Sequence, residues 1–384
     1  MKNVEFINVL KPRVSYGISG NEPSGAYEWT TKLSFTEQYA NNIAFFSNYA
    51  GNTDLSWEET ASLDYGLDVR LFNRVSLTID GYYRKAKNLI YLRHLSAVTG
   101  YNRQTANNGQ MTNKGFEFTI TPEIINTKDL YWDVTFNMGY NKNEITKLPY
   151  GDELVSRATA VGYPYMNWYM REWAGVDAMT GRPLWFVVDQ ETGEKTVTGD
   201  YNKATRQLLD AVPTPKVNGA LGSNFSWKGF SINANFTFAT GAMVYNSARA
   251  GALDRDAGRT TQPPMKLHNG WNRWQKPGDK ATHPQLIAGG NNGADNESTR
   301  YLESGDYFKL KSLSVSYALP EKLLNPLSVK SARITLGGEN LFTVTKFSGI
   351  DPEVLFSSSY NGNASSGNSY PSVRRFTVGL NVTF

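Results

Sequence analysis

From Arg375 to the last residue the chain alternates between two kinds of position. Phe376, Val378, Leu380, Val382 and Phe384 are apolar, while Arg375, Thr377, Gly379, Asn381 and Thr383 between them are polar or small. Successive side chains of a strand point to opposite faces, so a period of two predicts a strand with one apolar and one polar face. The pattern recurs. Ala61, Leu63, Tyr65, Leu67, Val69 and Leu71 oppose Ser62, Asp64, Gly66, Asp68 and Arg70. After a tight turn predicted at Asn73–Arg74, Val75, Leu77, Ile79, Gly81 and Tyr83 oppose Ser76, Thr78, Asp80, Tyr82 and Arg84. Leu130, Trp132, Val134, Phe136, Met138 and Tyr140 form another apolar face, as do Phe230, Ile232, Ala234, Phe236 and Phe238. Shorter alternations centre on Tyr16, Phe118, Val315 and Leu336. Together they predict about ten long antiparallel strands.

The connections alternate in length. Short turns are predicted after Phe72, Pro122 and Trp227 and between Leu319 and Val329, and long connections over about 19–56, 88–110, 142–216, 241–304 and 345–372. Tight turns at one end of the strands and long loops at the other are a property of outer-membrane barrels. The strands run to about ten residues or more, enough to cross a bilayer at a tilt, whereas sandwich strands average about 5–6. Tyr82, Tyr83, Trp132, Tyr140, Trp227, Tyr307 and Tyr317 fall at or near strand ends, where interfacial aromatic girdles form.

Composition narrows the choice. Of 384 residues 40% are hydrophobic, 13% aromatic and 19% charged, with 35 Asn, 34 Gly and no Cys. No apolar run is long enough for a membrane-spanning helix. Without Cys there are no disulfides, thiolate metal sites or Cys nucleophiles. The net charge of +4 has its signs interspersed, so no nucleic-acid partner is expected. Mean hydropathy is negative. A soluble all-β protein gives that value, and so does a barrel whose strands alternate lipid-facing and water-facing residues. Both readings stand at this point.

Several segments carry a resemblance. They include LKPRVSYGISGN at 10–21, NTDLSWEET at 52–60, NKGFEFTITPEII at 113–125 and VGYPYMNWYMREWAGVDAMTGRP at 161–183. NRWQKPGDKAT at 272–282, STRYLESGDYFKLKSLSVSYALP at 298–320, GGENLFTVTKFSGIDPE at 337–353 and the final strand continue the series. In order and spacing the chain resembles the carboxy-terminal part of SusC/RagA-type TonB-linked (TonB-dependent) outer-membrane proteins. The resemblance implies an all-β fold, an antiparallel transmembrane β-barrel of about 22 strands in the bacterial outer membrane, with a plug. It also implies import of glycans or peptides, a SusD-like surface lipoprotein as lid, and energy from the TonB complex. Residues 1–384 would be the carboxy-terminal portion of such a barrel, about half its strands. A plug domain, a TonB-contacting segment and a signal peptide are not evident, so a fragment is expected.

Chemistry-bearing motifs are sparse. His94, His268 and His283 fall far apart in predicted loops and lack metal-ligand spacing, so solvated loop positions are expected. Nucleophile-elbow, P-loop and dinucleotide fingerprints are missing. No enzymatic activity, metal or cofactor is expected. Asp254, Asp256 and Gly258 resemble part of a calcium loop without its last ligands, which favours a surface turn. Asp189–Glu194 reads as a hairpin turn between Leu184–Val188 and Lys195–Thr198.

The loop aromatics are the better candidates. Trp168, Tyr169, Trp173 and Trp185 lie in one long loop, and Trp271 and Trp274 in another. Aromatic faces stack on sugar rings or peptide side chains while polar neighbours orient them. These six are the substrate-binding candidates, with loop packing or contact with a lid as the alternative. Charges on the polar faces, such as Asp64, Asp68, Asp80, Arg84 and Arg375, either ring the lumen or pair across strands. Phe384 is the candidate signal read by the barrel-assembly machinery, as the resemblance implies, or else an interfacial anchor.

Two rival readings remain open: a self-contained ten-strand outer-membrane pore or surface hydrolase, and a soluble β-sandwich lectin or adhesin. The facing assigned to the strands is testable. Leu67→Arg or Val378→Arg should cost about 2–4 kcal/mol near mid-bilayer when unfolding is followed in lipid; unchanged stability would contradict a lipid-facing position.

Overall fold

The computed structural model describes residues 5–23, 25, 27–39, 41–148, 159–253, 267–287, 293–327, 329–355 and 370–384. They form two compact units, Met1–Ile124 with Asp133–Tyr165, and Ile125–Trp132 with Met166–Phe384. The Asp254–Gly258 segment lies outside the described residues.

The first unit holds β1 (Ile7–Asn21), β2 (Lys32–Tyr39), β3 (Asn42–Ala50), β4 (Glu58–Leu71), β5 (Val75–His94), and most of β6 (Arg103–Asn126) and β7 (Leu130–Lys147). Its sheet runs β1-β4-β5-β6-β7. β1 with β4, β4 with β5 and β5 with β6 pair antiparallel. β2 and β3 form a hairpin whose end joins β6 in parallel, Tyr49 against Arg103 and Ala50 against Gln104.

The second unit begins its strands with β8 (Tyr169–Arg171), β9 (Trp173–Val176), β10 (Pro183–Val188), β11 (Lys195–Thr198) and β12 (Arg206–Leu208). It continues with β13 (Val217–Trp227), β14 (Phe230–Thr240), β15 (Met243–Tyr245), β16 (Leu302–Ser304), β17 (Tyr307–Ala318), β18 (Ser331–Thr345) and β19 (Arg375–Thr383). The long members pair in the order β13-β14-β17-β18-β19, antiparallel throughout. The short ones make the small sheets β11-β10-β9, β12-β8 and β15-β16.

Ten of these strands are long, as the alternation predicts, and their faces sort the same way. On strands paired at both edges the apolar face is open, with Leu63 42% and Tyr65 55% exposed on β4 and Phe116 43% exposed on β6. An apolar face left uncovered by protein is what a strand presents to lipid. On the polar face the charges pair across neighbouring strands. Arg13 reaches Asp68 at 3.0 Å and Asp80 at 2.9 Å, Arg84 reaches Asp64 at 3.6 Å, and Arg375 reaches Glu339 at 3.4 Å. Such exposed pairs contribute about 0–1 kcal/mol each, so they match register more than they stabilise it.

Several boundaries differ from the sequence reading. The turn after β4 is centred on Phe72 and Asn73, both left-handed (φ 54° and 53°), with Arg74 N donating to Leu71 O. That is one residue earlier than Asn73–Arg74. β6 does not stop at Pro122 but runs to Asn126. The 88–110 connection shrinks to 95–102, because β5 and β6 stay paired from Leu89–Gly109 to His94–Arg103. The unbroken apolar run Leu89–Leu92 and the polar stretch Asn107–Asn108 hide that extension from pattern reading, and register shifts at Leu89 break the period of two. The 19–56 connection holds β2 and β3, the 142–216 connection holds β8 to β12, and the 241–304 connection holds β15 and β16.

Candidate functional site

The loops of the second unit fold as a scaffold of their own. β10 and β11 form a hairpin through residues 189–194, as the sequence predicts. Asp189 closes it: its carboxylate accepts from the Glu191 and Thr192 amides, and Gly193 N donates to Asp189 O at φ 73°. Asp177 builds the same turn one hairpin earlier. Its carboxylate accepts from the Met179 and Thr180 amides, and Gly181 N donates to Asp177 O at φ 67°. Both stretches read Asp-x-x-Thr-Gly, a repeat legible in the sequence once the geometry is known. Amide donors favour the ionised form and hold both carboxyls below the usual range.

Residues 271–286 are fastened onto the Asp177 turn. Trp274 Nε1 donates to Ala178 O at 2.8 Å, Gly278 N donates to the same oxygen, and Gln285 bonds Gly181 O and Thr180 O. The Trp274 ring covers Gly181 so closely that a Cβ there would sit 2.5 Å from it.

Trp271, Trp173 and Trp185 join one series of rings and arginines. Trp271 is half-buried, with His268 at 4.7 Å, His283 at 5.0 Å and the Arg249 guanidinium at 4.3 Å. Arg249 also lies 5.3 Å from the Tyr301 ring. Arg300 sits over Tyr301 and over Trp173. Trp173 meets Trp185 edge-on at 5.6 Å, Trp185 meets Tyr201 at 5.4 Å, and Arg171 covers Tyr201 at 4.3 Å. Desolvated cation–π contacts contribute about 2 kcal/mol or more each, exposed ones about 0.5–1. The series therefore locks loops distant in sequence onto one another.

The six candidates differ in what they leave open. Trp185 is 0% exposed. Trp168 is 4% exposed, and its Nε1 donates to Met243 O. Neither has a free face in this unit. Tyr169, which opens β8, and Trp173, Trp271 and Trp274 remain half-buried. Phe384, just past β19, is 77% exposed. His283 departs from the sequence reading. It is buried and shares Trp271 with His268, because Asn272 and Thr282 bond each other and fold the segment back on itself. Among the described residues no group of three or more His, Cys, Asp or Glu could hold a metal ion.

Beside Trp185 a pocket of about 470 Å³ opens, lined by Arg182, Gly199, Asp200, Tyr201, Asn202, Gly293 and Asn296. In the first unit a cleft of about 420 Å³ is lined by residues that include Glu28, Lys32, Tyr49 and Leu92. There Glu28 is already engaged, with Lys32 at 3.2 Å and the Thr105 hydroxyl at 3.1 Å. Periodicity finds neither Arg171, Arg249, Arg300 and Tyr201 nor the pocket, since no local pattern marks residues that meet only through loop folding.

Open apolar strand faces, paired polar faces and structured long loops define an outer-membrane β-barrel. Residues 3–341 match the family described as TonB dependent receptor-like, beta-barrel, and the chain belongs to that family. TonB-dependent receptor P3 of Formosa agariphila is 30% identical over the whole chain, which covers 40% of that receptor. TonB-dependent receptor SusC of Bacteroides thetaiotaomicron is 27% identical, with 38% of it covered. The structure of the RagAB peptide transporter matches the whole chain with a TM-score of 0.81 and 29% identity, over 42% of that chain. The chain thus spans about two fifths of the length of these relatives.

Proposed function

We propose that residues 1–384 are the carboxy-terminal portion of a receptor barrel that imports glycans or peptides in a TonB-dependent manner. The observation that carries this reading is the likeness of the whole chain to the RagAB peptide transporter, supported by the relationship to SusC. The receptor works by binding and gating, without bond-making chemistry. A SusD-like surface lipoprotein covers the external loops, and the TonB complex supplies energy through parts outside this chain. Tyr169, Trp173, Trp271 and Trp274 offer partly open rings to substrate or lid, while Trp168 and Trp185 hold the loops in place. Phe384, exposed at the end of the last strand, is the signal for the barrel-assembly machinery.

Affinity purification of the tagged intact receptor from outer membranes tests the partnership. A surface lipoprotein should co-purify in equal amount, encoded next to the receptor. A receptor that purifies alone from mildly solubilised membranes, with no lipoprotein gene beside it, would contradict the paired design.

A further inference from the structure

We propose that Lys85, Lys87, Lys114 and Lys142 form a docking site for the phosphate groups of an outer-leaflet lipid. The site lies on the open apolar face of the first unit. It rests on the outer-membrane location and holds whatever the receptor imports.

The ladder fixes the position of these lysines. Residues paired across β4, β5 and β6 line up in rows on the apolar face. Leu71, Val75 and Pro122 form the row at the short turns. Three rows further out stand Tyr65, Gly81 and Phe116, with the Tyr140 ring 5.7 Å from that of Phe116. The Tyr65 ring covers Gly81 and leaves no room for a Cβ there. Beyond this aromatic row come the lysines. Lys114 pairs with Tyr83, Lys85 with Ala61 and Thr112, and Lys87 with Glu59. Lys142 lies two residues past Tyr140 on β7 and so shares its face. Ten residues of β5 separate Val75 from Lys85. At the usual rise and tilt that is about 26 Å of height, and the apolar band of such barrels is about 25 Å tall. The lysines therefore stand at headgroup level, at the end from which the long loops leave. That end faces outward.

Charge on the two faces is handled differently. On the polar face Arg13, Arg70 and Arg84 each reach a carboxylate. On the apolar face Lys85, Lys87 and Lys114 make no ion pair among the described residues. Lys142 has Glu144 at 3.5 Å, and Glu59 stands opposite Lys87. Four lysines thus meet two carboxylates on this face of β4 to β7. Two of the lysines are set side by side. The Asn143 side chain donates to that of Asn113 at 2.8 Å, which brings Lys114 and Lys142 together on the opposite face. Like charges directly opposite destabilise a sheet, and an anion between them removes that cost. The row at the short turns carries no charge. Cations that only anchored the barrel at an interface would be expected at both ends, so the surplus belongs to the outer leaflet.

A lipid phosphate fits this arrangement. Lysine stems lie along apolar surface while their ammonium groups reach outward to the headgroups. Acyl chains of the same lipid would lie against the aromatic row below. Each lysine near an anionic lipid surface strengthens binding about fivefold.

The intact receptor, purified in dodecyl maltoside and freed of lipid, tests the site. It is incubated with bisphosphorylated lipid A, with the same lipid A after phosphatase treatment, and with phosphatidylcholine. Retained lipid is counted by native mass spectrometry. Bisphosphorylated lipid A should be retained in preference to the other two. Lys85→Gln, Lys87→Gln, Lys114→Gln and Lys142→Gln combined should weaken retention about tenfold or more, and Arg at all four positions should keep it. Arg84→Gln, on the polar face, should retain lipid as the wild type does. All four lysines are at least partly exposed, so heat-modifiable migration should be unchanged. Equal retention of the dephosphorylated lipid, or undiminished retention in the glutamine variant, would overturn the site. Full displacement by inorganic phosphate would overturn it too, by showing a site for free anions.

Discussion

Lys309→Met should destabilise the protein by about 3–5 kcal/mol, the cost of breaking a buried ion pair on one side. Lys309 lies on β17 with its side chain 2% exposed. Its Nζ is 3.1 Å from Asp351 Oδ2 and 2.6 Å from Glu353 Oε2, and Lys311 meets the other Glu353 oxygen at 2.6 Å. Ser372 N donates to Asp351 as well. The segment leaving β18 is thereby fastened to β17, with Phe347 buried in the same stretch. Without the ammonium, Asp351 loses its ion-pair partner and Lys311 alone is left to balance two partly desolvated carboxylates.

The same cluster sets a pH dependence. Burial raises the carboxyl of Asp351, but hydrogen bonds from Ser372 and Lys309 outweigh it and hold it below the usual range. Burial likewise raises Glu353, and Lys309 and Lys311 outweigh it. Depressed carboxyls stabilise the fold at pH above their unfolded values, and the contribution is lost as pH falls through the folded ones. Acidification below about pH 4 should therefore loosen the segment in the native protein. In Lys309→Met the trend reverses, because protonation relieves the repulsion. Denaturant unfolding of the intact receptor across pH, followed by tryptophan fluorescence, measures both effects. Adding Asp351→Asn and Glu353→Gln to Lys309→Met should restore part of the loss. A loss below about 1 kcal/mol, the range of exposed pairs, would contradict the buried cluster.

Trp185→Ala carries the second large effect. Removing a wholly buried tryptophan costs about 3–5 kcal/mol. The loss should stay local to the loops, because Trp185 links Trp173 to Tyr201 and its own strand belongs to the small β11-β10-β9 sheet. Faster proteolysis and amide exchange over residues 195–206 are expected as Tyr201 loses its support. Trp185→Phe should retain most of the protection. Wild-type protease resistance in Trp185→Ala would sink the view that this ring holds the loops.

The long strands were legible because lipid on one face and water on the other enforce a period of two. Val378 and Leu67 could be placed on a face without coordinates for that reason. Where a register shift breaks the period the signal vanishes, and the paired arms at 89–94 and 103–109 read as loop. The aromatic-rich loops were legible as a group, yet their roles were not. Trp185 and Trp274 look alike in sequence, and only folding separates a buried ring from one laid over Gly181. The stacked arginines escaped notice because Arg171, Arg249 and Arg300 meet the rings through three different loop segments. The Asp-x-x-Thr-Gly repeat at 177 and 189 was within reach, because its turn chemistry is local.

Energised import is the centre of the account, and uptake of fluorescently labelled oligosaccharide and oligopeptide pools by cells carrying the intact receptor tests it most directly. Uptake should fall to the level of receptor-deleted cells when a protonophore is added, and equally when the TonB complex is deleted. Receptor-dependent uptake that persists unchanged under both treatments would identify a passive pore and contradict the account.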